Sequence, residues 1–104
     1  MENKTKKIKI KSLEFEVIKF TDDKFETIEA IRKFVKRHPI SVDEYPDGRK
    51  PVLTLRMQNN TSKVQLNDYL IKYNDEVYGM PEDYYHIFCQ VLYIFSNRLV
   101  VKDG

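Results

Sequence analysis

Glycine occurs three times in this 104-residue chain, cysteine once and tryptophan not at all. With glycine confined to Gly48, Gly79 and Gly104, there is no glycine-rich loop to cradle a phosphate, which excludes the nucleotide-binding motifs built on such loops. The lone Cys89 has no intramolecular disulfide partner, so a stapled secreted scaffold is excluded and a reducing cytoplasm is the expected setting. No apolar run reaches membrane-spanning length, and the lysines of the first residues lead into no apolar segment, so neither a membrane protein nor a classical signal is expected.

Catalytic chemistry is equally scarce. Histidine stands only at His38 and His86. His86 and Cys89, three apart, are the nearest approach to a thiolate or metal pair, but a buried inert cysteine accounts for Cys89, and two ligands do not close a zinc site. Asp68, Asp75, Glu76, Glu82 and Asp83 cluster in sequence without the spacing of a metal loop, and turn and cap roles account for each. The expectation is a protein that is not an enzyme and holds no cofactor and no metal.

What is present is a globular composition, 41% hydrophobic and 33% charged, of a length that fits one domain. The net charge of +2 names no polyanionic partner. Its distribution is less even, because Lys4, Lys6, Lys7, Lys9 and Lys11 crowd the start. Residues 1–11 read as a basic amino-terminal arm or a first strand, solvated or touching phosphate, and residues 12–104 as a single α+β domain with a hydrophobic carboxyl-terminal helix.

Alternation of apolar and polar residues runs from Ile8 to Phe20, the period of a half-buried strand. Its parity shifts near Lys11 and Ser12 and again between Val17 and Ile18, which fits one bulged strand or two short ones. Phe25, Ile28, Ile31, Phe34 and Val35 recur at helical spacing behind Thr21-Asp22-Asp23, where Asp23 and Glu26 have capping-box spacing; the helix should stop near Arg37, ahead of Pro39. Residues 40–51 are rich in turn formers and read as a connector. Strands follow at Val52 to Met57, Lys63 to Leu66, Tyr69 to Tyr73 and Val77 to Met80. Pro81 then opens a helix apolar nearly all round from Tyr84 to Phe95, and Leu99 to Val101 suit a last edge strand or a tail that packs on a partner. The class is α+β, with a small antiparallel sheet of about four to six short strands packed against two helices.

The tyrosines offer both core and contact surface. Tyr69, Tyr78 and Tyr84 are assigned to the interior. Tyr73, Tyr85 and Tyr93, with Lys72 and Arg98, are the candidate partner-binding residues. A helix apolar on every side exceeds what one modest sheet covers, so part of it is expected to meet another molecule, either a different protein or, as a homodimer, a second copy.

The run Leu66-Asn67-Asp68-Tyr69-Leu70-Ile71-Lys72, then Glu76-Val77-Tyr78 and Pro81 to Phe88, resembles a family of small phage and prophage proteins. Their signature is a Gly-Asp-Trp or Gly-Asp-Tyr step, an apolar pair and a lysine, followed by a turn, Glu-x-Tyr and an acidic helix start ending in Phe. Phe15-Glu16-Val17-Ile18-Lys19-Phe20-Thr21 looks like the same family's opening strand. This chain departs in having Asn67 for glycine, a residue that still tolerates a left-handed backbone, and in a longer second helix. The resemblance implies the α+β layout and a phage-type accessory protein that binds and inhibits or modulates a host protein, such as a defence or replication factor, in the bacterial cytoplasm. The alternatives are nucleic-acid binding through Lys4, Lys6, Lys7, Lys9 and Lys11 with nearby tyrosines, and a nucleotide-type small molecule held between tyrosines.

Overall fold

The computed structural model describes residues 5–10, 13–36, 38–96 and 100–103. The chain runs β1 (Lys6–Ile10), β2 (Leu13–Lys19), α1 (Phe25–Val35), β3 (Ile40–Asp43), β4 (Val52–Arg56), β5 (Thr61–Gln65), β6 (Tyr69–Tyr73), β7 (Glu76–Met80), α2 (Glu82–Ser96) and β8 (Val100–Asp103). The class is α+β, as its alternations imply. One antiparallel sheet has five strands in the order β7-β6-β2-β1-β8. A second, with order β3-β4-β5, extends the expected architecture, because residues 40–43 are a strand rather than part of a connector. Ile40 and Val42 alternate with exposed Ser41 and Asp43 there, a pattern too short to stand out among its turn-forming neighbours.

Both faces of the five-stranded sheet are covered. Ile18, Phe20, Leu70 and Val77 point to one side, where they join Ile31, Phe34 and Val35 of α1 and Leu53, Leu55 and Val64 of the small sheet in the main core. Ile8, Val17 and Ile71 point to the other, beneath Tyr85, with Phe15, Phe88, Cys89 and Leu92 packed around them. This two-sided cover explains the parity shift at Val17 and Ile18. Consecutive residues are both buried in an unbroken strand, and β2 pairs with β1 and β6 without a bulge. The earlier shift, at Lys11 and Ser12, lies outside the described residues, between Ile10 and Leu13, which pair.

The Asn67–Asp68 turn joins the layers. Asn67 adopts φ 74°, the left-handed conformation its side chain tolerates. Its N–H donates to the Phe20 carbonyl at 2.7 Å, and the Phe20 N–H donates to the Asp68 carbonyl at 2.9 Å. The Asp68 carboxylate accepts from the Gln65 N–H at 3.2 Å with one oxygen and from the Glu82 N–H at 3.2 Å with the other. One side chain therefore closes the end of β5 and caps the first residue of α2, where orphan N–H groups favour an anion.

Helix α1 begins differently from the capping box expected at Asp23. Lys24 occupies the cap position without a side-chain bond, and Asp22 accepts from the Lys24 N–H at 2.9 Å and from the Thr27 hydroxyl. The Thr27 contact, with the Lys24 N–H adding to it, holds the Asp22 carboxyl below its ordinary range. That contact turns Thr27 inward. At about 100° per residue Phe25 then lies off the arc of Thr27, Ile31, Phe34 and Val35, and it is exposed instead of buried. The helix ends at Val35, with Lys36 at φ 57°.

At Gly79 a Cβ atom would lie 3.1 Å from the Val64 methyl, so the missing side chain lets β5 cross closely over β7. The Asp68 contacts yield the first prediction. Asp68→Ala should cost about 1–2 kcal/mol, as loss of a helix cap does, and lower the melting temperature by several degrees at about 4–8 °C per kcal/mol. Urea unfolding of the two proteins checks it, and an unchanged midpoint contradicts the capping role.

Candidate functional site

Helix α2 lies on the sheet with Tyr85, Phe88, Cys89 and Leu92, the i, i+3, i+4, i+7 face of an amphipathic helix, turned inward. Proline at 81 and the carboxylates of Glu82 and Asp83 suit its start. What the sheet does not cover is an apolar row on its flank. Tyr84 is 64% exposed, Ile87 55% and Val91 41%. They lie at spacings of three and four, so they form one continuous strip. Tyr93 is also exposed, at 59%, but nine residues from Tyr84 it stands about half a turn away around the axis.

Three tyrosine assignments are corrected by this packing. Tyr85, expected at a contact surface, is only 8% exposed and stacks on Tyr69, ring centroids 3.8 Å apart and planes 15° from parallel. Tyr84 and Tyr78, expected inside, are exposed. The exchange of Tyr84 and Tyr85 follows from which side of α2 meets the sheet, a choice that a helix apolar all round leaves undetermined, whereas Tyr78 lies on the edge strand β7. Burial, and then Cys89 beside it, push the Tyr85 phenol well above its ordinary range.

Lys72 is likewise a structural residue. Its side chain is only 11% exposed, with Nζ 3.1 Å from Glu16 Oε1, donating to the Phe34 carbonyl at 2.9 Å and lying over the Phe34 ring. It satisfies a carbonyl at the last turn of α1, where a cation complements the helix dipole. Tyr73 is half-buried against Phe15, centroids 5.0 Å apart. Arg98 lies outside the described residues. The four described candidates do not share one exposed surface, and the strip on α2 that includes Ile87 and Val91 was missed. Its signal was the seam spacing of Tyr84, Ile87 and Val91, beside the wider inward face of Tyr85, Phe88, Cys89 and Leu92.

The basic segment is not an arm where it is described. Residues 6–10 form β1, an interior strand held between β2 and β8, and Lys7 Nζ is 4.0 Å from Glu16. Lys4 and Lys11 lie outside the described residues, as does the side chain of Lys9. Paired on both edges, β1 holds Lys6 and Lys7 on the sheet and not on a free arm.

Two depressions are formed by described residues. A groove of about 670 Å³ runs between β7 and the β4–β5 hairpin, with His38, Arg56, Asp75, Glu76 and Tyr78 in its lining. A smaller cleft of about 420 Å³ lies at Glu14, Glu16, Lys72 and Tyr73, and its only cation there is already engaged. Among the described residues no three His, Cys, Asp or Glu side chains converge as a metal site would require, and no helix is long and apolar enough to cross a membrane. Comparison of the chain with family models, with curated proteins and with solved structures gives no match.

Two measurements test these placements. Lys72→Met should lower stability by about 1–3 kcal/mol, because the Phe34 carbonyl and Glu16 lose a charged donor; a urea midpoint equal to that of the parent would return Lys72 to the list of free contact residues. A phenol whose folded pKa is raised supports the fold fully below about pH 10, the unfolded value, and that support is lost as the pH climbs above it. Tyr85→Phe should therefore reduce the alkaline loss of stability, read as melting temperature from pH 8 to 11. Parallel curves for the two proteins contradict the buried phenol.

Proposed function

We propose that this chain is a non-enzymatic, phage-type accessory protein that binds a host protein, a defence or replication factor, in the bacterial cytoplasm and modulates or inhibits it. The observation that carries the reading is the exposed row Tyr84, Ile87 and Val91 on α2. Apolar surface of this kind gains about 25 cal/mol per Å² when it leaves water, and anchors three and four residues apart suit docking of a helix against an apolar groove. The phage setting rests on the resemblance of the Asn67-Asp68-Tyr69 segment and its flanks.

Charge favours a foreign partner over a second copy. Helix α2 has acidic residues in its first turn and no basic residue in its last. Two copies packed antiparallel would set Asp83 against the negative end of the opposite helix, and two packed in parallel would set Asp83 against Asp83; both are repulsive. A partner surface with an apolar groove and a basic rim meets neither penalty.

The double substitution Ile87→Glu and Val91→Glu tests the reading. Both positions are exposed, so stability should change by no more than about 0.5 kcal/mol per site. A host protein captured by the parent should, once purified, bind it directly and lose at least a hundredfold in affinity for the variant. Equal binding by the two forms, or a parent protein that binds no purified host candidate, rejects the proposal.

A further inference from the structure

The groove beside β7 has a second feature that α2 lacks, an open strand edge. Strand β7 is the end of its sheet, and no backbone hydrogen bond joins it to β5 among the described residues. The β6–β7 connection has two residues, Asn74 and Asp75, both at positive φ, which makes Tyr73 and Glu76 the hydrogen-bonded closing pair. Pairs then alternate along the antiparallel ladder. With Tyr73↔Glu76, Ile71↔Tyr78 and Tyr69↔Met80 in register, the N–H and C=O groups of Val77 and Gly79 point away from β6.

The groove lies along that edge. Glu76 and Tyr78 share one face of the sheet with Ile71, and Gly79 shares the other with Leu70, yet all three line the same depression. Only the edge of a strand presents both parities to one space. The groove's charges are also unsatisfied. Among the described residues Arg56 and His38 on one side, and Asp75 and Glu76 on the other, make no side-chain hydrogen bond or ion pair. The exposed Tyr78 ring also lines the groove, from the β7 side.

We propose that the β7 edge is a docking site for an extended peptide of another protein, which adds to the sheet as a further strand next to β7. Main-chain bonds to Val77 and Gly79 hold the peptide, as in other strand additions. Asp75 and Glu76 take a basic residue of it, Arg56 and His38 across the groove an acidic residue or a terminal carboxylate, and the exposed Tyr78 packs on one of its side chains. A nucleoside phosphate, with negative charge alone, would satisfy Arg56 but meet repulsion from Asp75 and Glu76.

The test is selection from a displayed library of random twelve-residue peptides against the whole chain, followed by amide exchange and nitrogen-proton NMR with the selected peptide. Expected are sequences of alternating β-formers that carry both a basic and an acidic residue, slowed exchange at Val77 and Gly79, and loss of binding when the alternate peptide amides are N-methylated. Arg56→Glu, at an exposed position, should weaken the peptide about tenfold, equivalent to ~1.4 kcal/mol. The Ile87→Glu, Val91→Glu variant should bind it unchanged, so this site and the α2 face stand or fall separately. Failure to enrich any sequence whose binding depends on Arg56, shifts confined to α2, indifference to N-methylation, or concentration-dependent shifts at Val77 and Gly79 without peptide would each overturn the proposal.

Discussion

At the Asn67–Asp68 turn, segments far apart in the chain are held by one left-handed residue and one carboxylate. The backbone of the turn exchanges hydrogen bonds with Phe20 beyond the end of β2, while the Asp68 side chain reaches Gln65 and Glu82. Those contacts fix where β6 enters the sheet, where the small sheet leaves it and at what angle α2 departs. An aspartate suits this position because a carboxylate accepts two backbone donors at once, and both are otherwise orphaned. The Asn-Asp-Tyr step that carries the family resemblance thus has an architectural role here. Its third member, Tyr69, continues the same logic by stacking on Tyr85 and anchoring the first turn of the helix to the sheet.

Lys72 does for α1 what Asp68 does for α2. Each helix has one polar end tied to strand β6 or the turn before it, one by an acid at its positive end and one by a base at its negative end. The two helices lie on opposite faces of the sheet, so β6 is gripped from both sides. Its residues Leu70 and Ile71 are buried in succession, one in each core.

Much of this was legible in the amino acids. Alternation and turn chemistry placed β4 to β7 within a residue or two, and Pro81 with its acidic followers marked the start of α2. The α+β class followed from those elements. Two-sided cover was not legible, because the pair Val17-Ile18 reads equally as a bulge until the second sheet is known to lie over Ile18. Strand β3 hid among turn formers for want of length. The exposed strip on α2 was half legible: the excess of apolar residues in α2 announced that something would remain uncovered, but a helix greasy on every side carries no phase, so Tyr84 and Tyr85 exchanged roles. Lys72 was misread for a related reason, since a lysine beside tyrosines looks the same in sequence whether it faces solvent or a helix end. The free edge of β7 left no trace at all, because strand order is a property of pairing and not of composition.

The order of the central sheet has a kinetic consequence. Lys6 sits opposite Asp103, and Glu16 opposite Lys72, so two of the four ladders join strands from distant parts of the chain. Hairpins β1–β2, β4–β5 and β6–β7 involve only neighbours and close quickly, on the order of microseconds. The two remote ladders must wait for long segments to be brought together, and the entropy of that closure is lost before any contact repays it. Until then α2 has no complete floor to rest on, and the newly made chain shows the surroundings its stickiest helix on every side.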